Sequence, residues 1–450
     1  MASWGVVGVS ARQFRPYPDY KDSGVDWLGQ IPAHWRPVRT KFVARVNPSR
    51  ASLPKVRNDL PVSFHAMEAV GNGELLEGLE RPISEMGSGY TPFMDDDVLI
   101  AKITPSFENG KGALAQGLLN GIGFGTTELH VIRPGPGTDP RYTFFVSLSH
   151  SFRHPGTGMM QGTAGQQRVP DDFVINFAFP LPPLPEQRAI AAFLDRETSK
   201  IDALVAKKER LIELLQEKRT SLISHAVTKG LDPNFGAAKV GSASFSEMPD
   251  HWESRKLRRL IRRVIRPLVI EPNTEYREIG IRSWGKGIFH KDPVRGALLE
   301  DKSVYYIEPG DFVLNIVFAW EGAVAVVSER EVGMVASHRF PTFRHSGEVD
   351  LDYLLMVLQS EQGRALMAIN SPGAAGRNRT IRLAQFFDEE IPLPPLTDQH
   401  EIVRKFRHEE RRNDALLAKV REAIERLKEY RTALISAAVT GKIDVRGEAQ

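Results

Sequence analysis

The residues that could carry out chemistry in this chain are few, and their spacing is wrong for it. There is no cysteine among the 450 residues, which removes thiolate nucleophiles, cysteine metal sites and disulfides at once. His150 and His154 stand at i,i+4, as helical metal ligands do. The glutamate of an H-E-x-x-H motif is missing, however, and Pro155 interrupts the element. Asp171 or Asp172 followed by Glu186-x-Arg188 imitates a metal-dependent nuclease. The imitation fails because Arg188 stands where lysine is wanted, and because a second copy of the phrase reads Asp398-x-His400. Gly156, Gly158 and Gly162 are misspaced for a dinucleotide loop and read as a flexible turn. A Walker loop, a G-x-S-x-G elbow and the D/N-P-P-Y/F motif of amino-methyltransferases are all absent. No catalytic residue and no metal ligand is assigned.

Side chains suited to binding are more plentiful. Seven of the twelve residues from Arg255 to Arg266 are Lys or Arg, interleaved with Leu257, Leu260, Ile261 and Val264. That i, i+3, i+4, i+7 pattern predicts an amphipathic helix with one basic face, carrying Arg255, Arg258, Arg259 and Arg262. A thinner version is Arg36, Arg39, Lys41 and Arg45. Such faces suit phosphate contacts that position a duplex without reading it; a merely solvated charged face is the alternative. Two glycine-framed loops, "GTAGQQR" (162–168) and "GAAGRNR" (373–379), offer Gln166, Gln167, Arg168 and Arg377, Asn378, Arg379. Gln and Asn can be bidentate to adenine and Arg to guanine, and glycine allows close approach. A structural turn before the last strand explains the same frame equally well.

The elements that would position these side chains come in two sets. "PLPPLPEQRAI" (180–190) recurs as "PLPPLTDQHEI" (392–402), identical at seven of eleven positions across a 212-residue offset. The same offset relates "RTSLISHAVT" (219–228) to "RTALISAAVT" (431–440), so the chain is a tandem duplication. "IPAHWRPVRTKFVARV" (31–46) is echoed by "MPDHWESRKLRRLIRRV" (248–264), and "DDVLIAKI" by "GDFVLNIV". The expected boundaries are a globular domain over 17–180 and a helical segment over 181–231. A linker over 232–247, a second globular domain over 248–391 and a second helical segment over 392–444 complete the pattern. Short β-rich runs at 304–307, 312–318 and 323–327, with a helical pattern over 352–359, make the globular parts α+β.

With each proline phrase begins a long helical pattern; in the first copy Pro185 stands at the first turn with Glu186 near the positive end of the dipole. Its seam positions in the first copy are Ile201, Val205, Lys208, Ile212, Leu215, Arg219 and Leu222. In the second they are Asn413, Leu417, Val420, Ile424, Leu427, Arg431 and Leu434. Steps of 4 and 3 give the 3.5-residue period of a coiled coil. Lys208 falls where Val420 lies in the other copy, so the two seams are related but not interchangeable, and the helices are expected to pair antiparallel within one chain. Each could run about 40 residues, or about 60 Å at 1.5 Å per residue. Two helices packed separately, each on its own globular neighbour, are the alternative.

A 41% hydrophobic and 26% charged composition is that of an ordinary globular protein, and no apolar run approaches the ~20 residues of a bilayer span. The amino terminus has no basic start and too short an apolar stretch for a signal peptide, so a cytoplasmic location is expected. A net charge of +3 permits nucleic-acid binding without demanding it.

The proline phrase ending in E/D-Q, the heptad helix and "RT(S/A)LIS(H/A)AVT" resemble the specificity subunits of Type I DNA restriction–modification systems. "YPDYKDSGVDWLGQIPAHW" (17–35) looks like the start of that family's first recognition domain. The resemblance covers nearly the whole chain, is strongest in the helices, and leaves residues 1–16 unmatched. It implies two target-recognition domains, each reading one half of a bipartite, asymmetric DNA site. The paired helices would set the spacer and hold two modification (methyltransferase) subunits. S-adenosylmethionine, ATP and Mg²⁺ would then belong to the modification and restriction (translocase/nuclease) subunits, with none bound by this chain. Half-sites about 10 bp apart, centre to centre, would suit such a pseudo-twofold protein. A stand-alone methyltransferase or nuclease with degenerate motifs, or a coiled-coil adaptor that never touches DNA, are the competing readings.

Overall fold

The computed structural model describes residues 14–448, apart from 164, 233–235, 243, 300–302 and 374–378. Two helices dominate it, Leu184–Lys229 and Leu396–Val439, of 46 and 44 residues. The chain divides into two compact units. One gathers everything up to Lys207 together with the stretch from Glu422 onward, and the other spans Lys208–Arg421. Each unit therefore holds one globular part, the start of one long helix and the end of the other.

In the first unit a five-stranded sheet has the order Ala44–Val46, Leu129–Pro134, Val98–Ala101, Gly112–Leu114, Asn72–Gly73. A four-stranded sheet has the order Leu79–Pro82, Pro61–His65, Ile122–Gly125, Thr91–Met94. In the second unit one four-stranded sheet, ordered Ile261–Val264, Thr342–His345, Phe312–Leu314, Val324–Val326, is accompanied by two-stranded pairs. Helices close each core: Pro140–Leu148 and His150–Gly158 in the first unit, Leu351–Gln359 and Glu361–Ile369 in the second.

The duplication reaches into side-chain detail that the repeated phrases did not announce. The first two residues of each proline phrase end a strand: Ala178–Leu181 pairs antiparallel with Arg36–Arg39, and Glu390–Leu393 with Glu253–Lys256. Asp139 and Asp350 cap the helices that follow them, accepting from the backbone N–H of Tyr142 and Tyr353 respectively. The phenols of those two tyrosines then donate to the carbonyls of Pro180 and Pro392. The invariant glutamine of the phrase completes the clamp. Gln187 is fully buried; its Nε2 donates to the carbonyls of Gly137 and Pro182, and its Oε1 accepts from the Asp139 N–H. Gln399 repeats this with Glu348, Pro394 and Asp350.

Within each unit the two helix segments run antiparallel. In the first, Glu186 lies 3.9 Å from Arg446 while Asp202 pairs with Arg431 at 3.0 Å, so the partner index falls as the helix advances. In the second, Arg219 meets Glu410 at 2.5 Å and stacks over Phe406. The end of each helix is seated on the globular part beside it. Ser436 accepts from the His150 N–H and Ser224 from the Glu361 N–H. The terminating glycines, Gly441 and Gly230, adopt positive φ against Trp35 and Trp252, where a β-carbon would press on the indoles.

Every seam position from Ile201 to Arg219 and from Asn413 to Leu434 is buried or half-buried. Leu222 is the exception: it is 40% exposed, and Ile223 occupies the buried place. Past Arg219 the buried positions step by four, to Ile223 and Val227, because this end leaves its helical partner for Val240, Phe245 and Trp252. A helix on a globular core follows its own 3.6-residue period, whereas the seam imposes 3.5.

Candidate nucleic-acid interface

The basic segment 255–266 is not a helix. Glu253–Lys256 is a strand, Leu257–Leu260 a single helical turn and Ile261–Val264 a second strand. β-Branched Ile261 and Val264, with a partner strand at Thr342–His345, draw the chain into a ladder that satisfies its backbone. The helical pattern in the apolar residues is real but is overridden by this pairing. Residues 36–46 follow the same path: strand Arg36–Arg39, a 3-10 turn Thr40–Phe42, strand Ala44–Val46.

The refolded pattern splits the basic face. Arg255 reaches Glu253 at 2.6 Å and lies 4.0 Å from Glu348, and Arg258 pairs with Asp388 at 2.7 Å. Arg259 and Arg262 are exposed and have no ion pair among the described residues. Arg36 and Arg39 are likewise exposed. Lys41 donates to Asn176 Oδ1 and, with Arg45, Ser49 and Ser52, lines an open cleft of about 400 Å³. Phe42 beside it is 72% exposed. Two cations and two hydroxyls around a shallow cleft form a surface that phosphate oxygens fit.

The first glycine loop is closed by a reciprocal backbone pair between Gln161 and Arg168, with Gly162 and Gly165 at positive φ. Arg168 is a clamp for it. Its guanidinium grips both oxygens of Glu128 and the Gln166 carbonyl, and this hydrogen bonding holds the Glu128 carboxyl below its usual range. Behind the loop His130 is wholly buried; burial lowers its pKa, and the neutral ring donates Nε2–H to the Val169 carbonyl. Neither the Gln166 nor the Gln167 side chain has a hydrogen bond among the described residues. In the second loop Arg377 and Asn378 lie outside the described residues. Arg379 lies over Trp320 at 5.1 Å, with its Nε buried and unpartnered.

Sequence reasoning missed a buried ion pair that anchors this region in both units. Asp97, 1% exposed, accepts from Arg133 at 2.6 and 2.7 Å and from the Met94 N–H. Asp311, fully buried, takes both Arg344 and Arg266 and the Glu308 N–H. The signal was present in the echoed "DDVLIAKI" and "GDFVLNIV", where each aspartate enters a buried strand; its arginine partners are far away in sequence.

No protein-family model matches the chain. Over 227 residues, half of this chain, it is 31% identical to the specificity subunit of type I restriction enzyme EcoEI from Escherichia coli. The chain is similar, over about half its length, to type I restriction specificity subunits. The match spans only about a third, 35%, of the length of that E. coli relative. A second relative, the MjaVIII specificity subunit of Methanocaldococcus jannaschii, is 24% identical over 68% of this chain and 71% of its own length. The fold has a solved counterpart in a structure described as the basis of complex assembly and conformational transition of a type I restriction–modification system. It has a TM-score of 0.66 and 19% identity, over 91% of this chain and 98% of that one. Among the described residues no group of three or more His, Asp or Glu side chains is arranged to hold a metal, and no helix is long and apolar enough to cross a membrane.

Proposed function

We propose that this chain is the DNA-recognition subunit of a type I restriction–modification complex and contributes no chemistry of its own. Each globular part reads one half of a bipartite site, and the paired helices set the spacer between the halves. The observation that carries this reading is the exchange of helix ends. The clamp of Gln187 and Tyr142, and its copy of Gln399 and Tyr353, fasten a long helix at its start. In the same unit the end of the other long helix is fastened through its own Ser436 or Ser224, which accepts from the His150 or Glu361 N–H. A chain that repeats its fastenings so closely while its globular surfaces differ supports two unlike readers built on one plan.

The reading assigns phosphate contacts to Arg36, Arg39, Lys41, Arg259 and Arg262 and base contacts to Gln166 and Gln167. Arg377, Asn378 and Arg379 remain base-reading candidates of the second half. The domain limits proposed for the two readers are 17–180 and 248–391. Outward-facing leucines on the long helices, Leu204, Leu211, Leu214 and Leu416, each 38–45% exposed, supply apolar surface for two modification subunits. Those subunits would carry S-adenosylmethionine, and the restriction subunits ATP and Mg²⁺, in the cytoplasm.

The test uses purified chain, alone and with its modification subunits, on duplex DNA with S-adenosylmethionine and Mg²⁺. Adenine methylation at one asymmetric bipartite sequence, only when both components are present, is the expected result. Methylation or cleavage by the chain alone would replace this reading with an enzyme. Sequence-independent binding with the modification subunits present would replace it with an adaptor.

A further inference from the structure

The second unit carries a surface that none of the assigned residues touches. Strands Ile279–Ile281 and Ile288–His290 form an antiparallel hairpin, with Gly280 opposite Phe289. Its tip is Arg-Ser-Trp-Gly-Lys-Gly, residues 282–287. The tip is fixed: Arg282 N–H donates to the Gly287 carbonyl, and Trp284 and Gly285 N–H donate to the carbonyls of Glu321 and Gly322. Ser283 Oγ donates to the Glu321 carboxylate at 2.5 Å.

Trp284 is held at φ 63°, a left-handed conformation that a bulky side chain avoids, and yet its indole is 58% exposed. Core packing gives no reason for strain there. Observed backbone outliers of this kind concentrate at ligand-binding sites. The guanidinium of Arg364 stands 5.4 Å from the indole centre and steadies one face. Below the tip an open cleft of about 480 Å³ is lined by Arg282, Trp284, Lys286, Phe289, Lys291 and Asn315. Arg282 lies over Phe289 at 5.1 Å, Lys291 is 3.5 Å from Glu278, and Lys286 is exposed with no ion pair among the described residues.

The corresponding hairpin of the first unit has the opposite character. Pro61–His65 pairs antiparallel with Leu79–Pro82 and runs parallel to Ile122–Gly125. Glu278 likewise makes a parallel bridge to Val335, so the two hairpins occupy the same place in their sheets. From Pro61 to Pro82 the first hairpin has Arg81 alone among Lys and Arg, against Glu68, Glu74, Glu77 and Glu80. From Arg277 to Arg295 the second has Arg277, Arg282, Lys286, Lys291 and Arg295 against Glu278 and Asp292. The duplication has thus given one copy a cationic, aromatic tip and the other an acidic one.

We propose that the hairpin tip Arg282–Gly287 and the cleft beneath it are a DNA-reading element of the second unit only, contacting duplex DNA in a single half-site. Arg282 and Lys286 are donors only, matched to guanine O6 and N7 or to phosphate. Trp284 supplies rigid apolar surface against a thymine methyl or a sugar. The acidic hairpin of the first unit repels the backbone, so that unit reads DNA through other loops. This rests on the chain being a DNA-recognition subunit.

The experiment measures binding of the chain with its modification subunits to three duplexes: the full bipartite site, and the site scrambled in either half. Lys286→Ala and Trp284→Gly are the variants. The first changes an exposed tip residue, and the second puts glycine where a left-handed backbone favours it, so neither threatens the fold. Each is expected to weaken binding to the full site about 10-fold or more, consistent with loss of a base-pair readout. Neither should weaken further the binding that remains when the second unit's half is scrambled. Wild-type affinity and motif in both variants would overturn the hairpin proposal and leave the DNA-recognition reading standing, as would equal relaxation at both halves. A wild-type complex with no sequence preference would overturn both.

Discussion

Replacing Gln187 with alanine removes three hydrogen bonds at once, from a fully buried polar side chain that ties the start of a long helix to its globular part. The bond from Nε2 to the Pro182 carbonyl is fully buried, and those to Gly137 and Asp139 are partly so. A buried backbone group left without a partner costs about 1–3 kcal/mol, and one that water can reach costs about 0.5–1. Together these predict a loss of about 2–5 kcal/mol. Gln187→Glu is the sharper variant. It keeps the acceptor for the Asp139 N–H but sets a carboxylate oxygen against two carbonyl oxygens in a buried site, so its cost should equal or exceed that of alanine. Denaturant unfolding gives the magnitude, and hydrogen exchange gives the place. Exchange should rise across 136–142 and 182–190 and stay unchanged across 348–354. Gln399→Ala should produce the converse pattern. A Gln187→Glu protein within about 0.5 kcal/mol of the parent, or exchange that rises equally in both units, would refute the clamp.

The remaining expectations concern other parts of the scaffold. Leu417, 8% exposed on the seam, should cost about 2–4 kcal/mol when changed to alanine, whereas its neighbour Leu416, 42% exposed, should stay within about 0.5 in a denaturation series. Asp97→Ala leaves Arg133 beside an apolar core and should cost about 3 kcal/mol or more by the same assay, since breaking a buried pair from one side is expensive. Glu128, depressed by its hydrogen bonds to Arg168, contributes stability that is present above the ordinary carboxylate range and lost as pH falls through the depressed value. Arg168→Gln should therefore flatten the stability profile below the ordinary carboxylate range. Removing one heptad from each long helix shortens each by about 10 Å and preserves the seam, so the tolerated spacer should contract by about three base pairs in a methylation assay.

Repetition made the architecture legible. Two copies of one phrase located the long helices, and their 3.5-residue period identified the faces that pair. The limits of that reading are physical. Leu222 fits the heptad, but the helix end answers to a globular core with another period, and Ile223 takes its place. Leu257, Leu260, Ile261 and Val264 fit a helix, but a ladder with Thr342–His345 outweighs local periodicity. Arg168 was chosen as a reader of bases and is held by Glu128, forty residues away, a contact that only the folded chain reveals. The glutamine of the repeated phrase carried no assigned role, yet it bonds three backbone groups of the clamp, two of them in a loop about 50 residues upstream. Nothing local in the sequence marks the hairpin 279–290 as a site or its tip as a left-handed, exposed tryptophan.

The most direct measurement is methylome sequencing of cells that express this chain with its modification subunits, beside cells in which residues 248–391 have been exchanged for the same segment of another family member. The account predicts one asymmetric bipartite adenine-methylation motif with a fixed spacer, and after the exchange a motif altered in one half and unchanged in the other. A motif that is continuous, that changes in both halves, or that survives the exchange intact would contradict it.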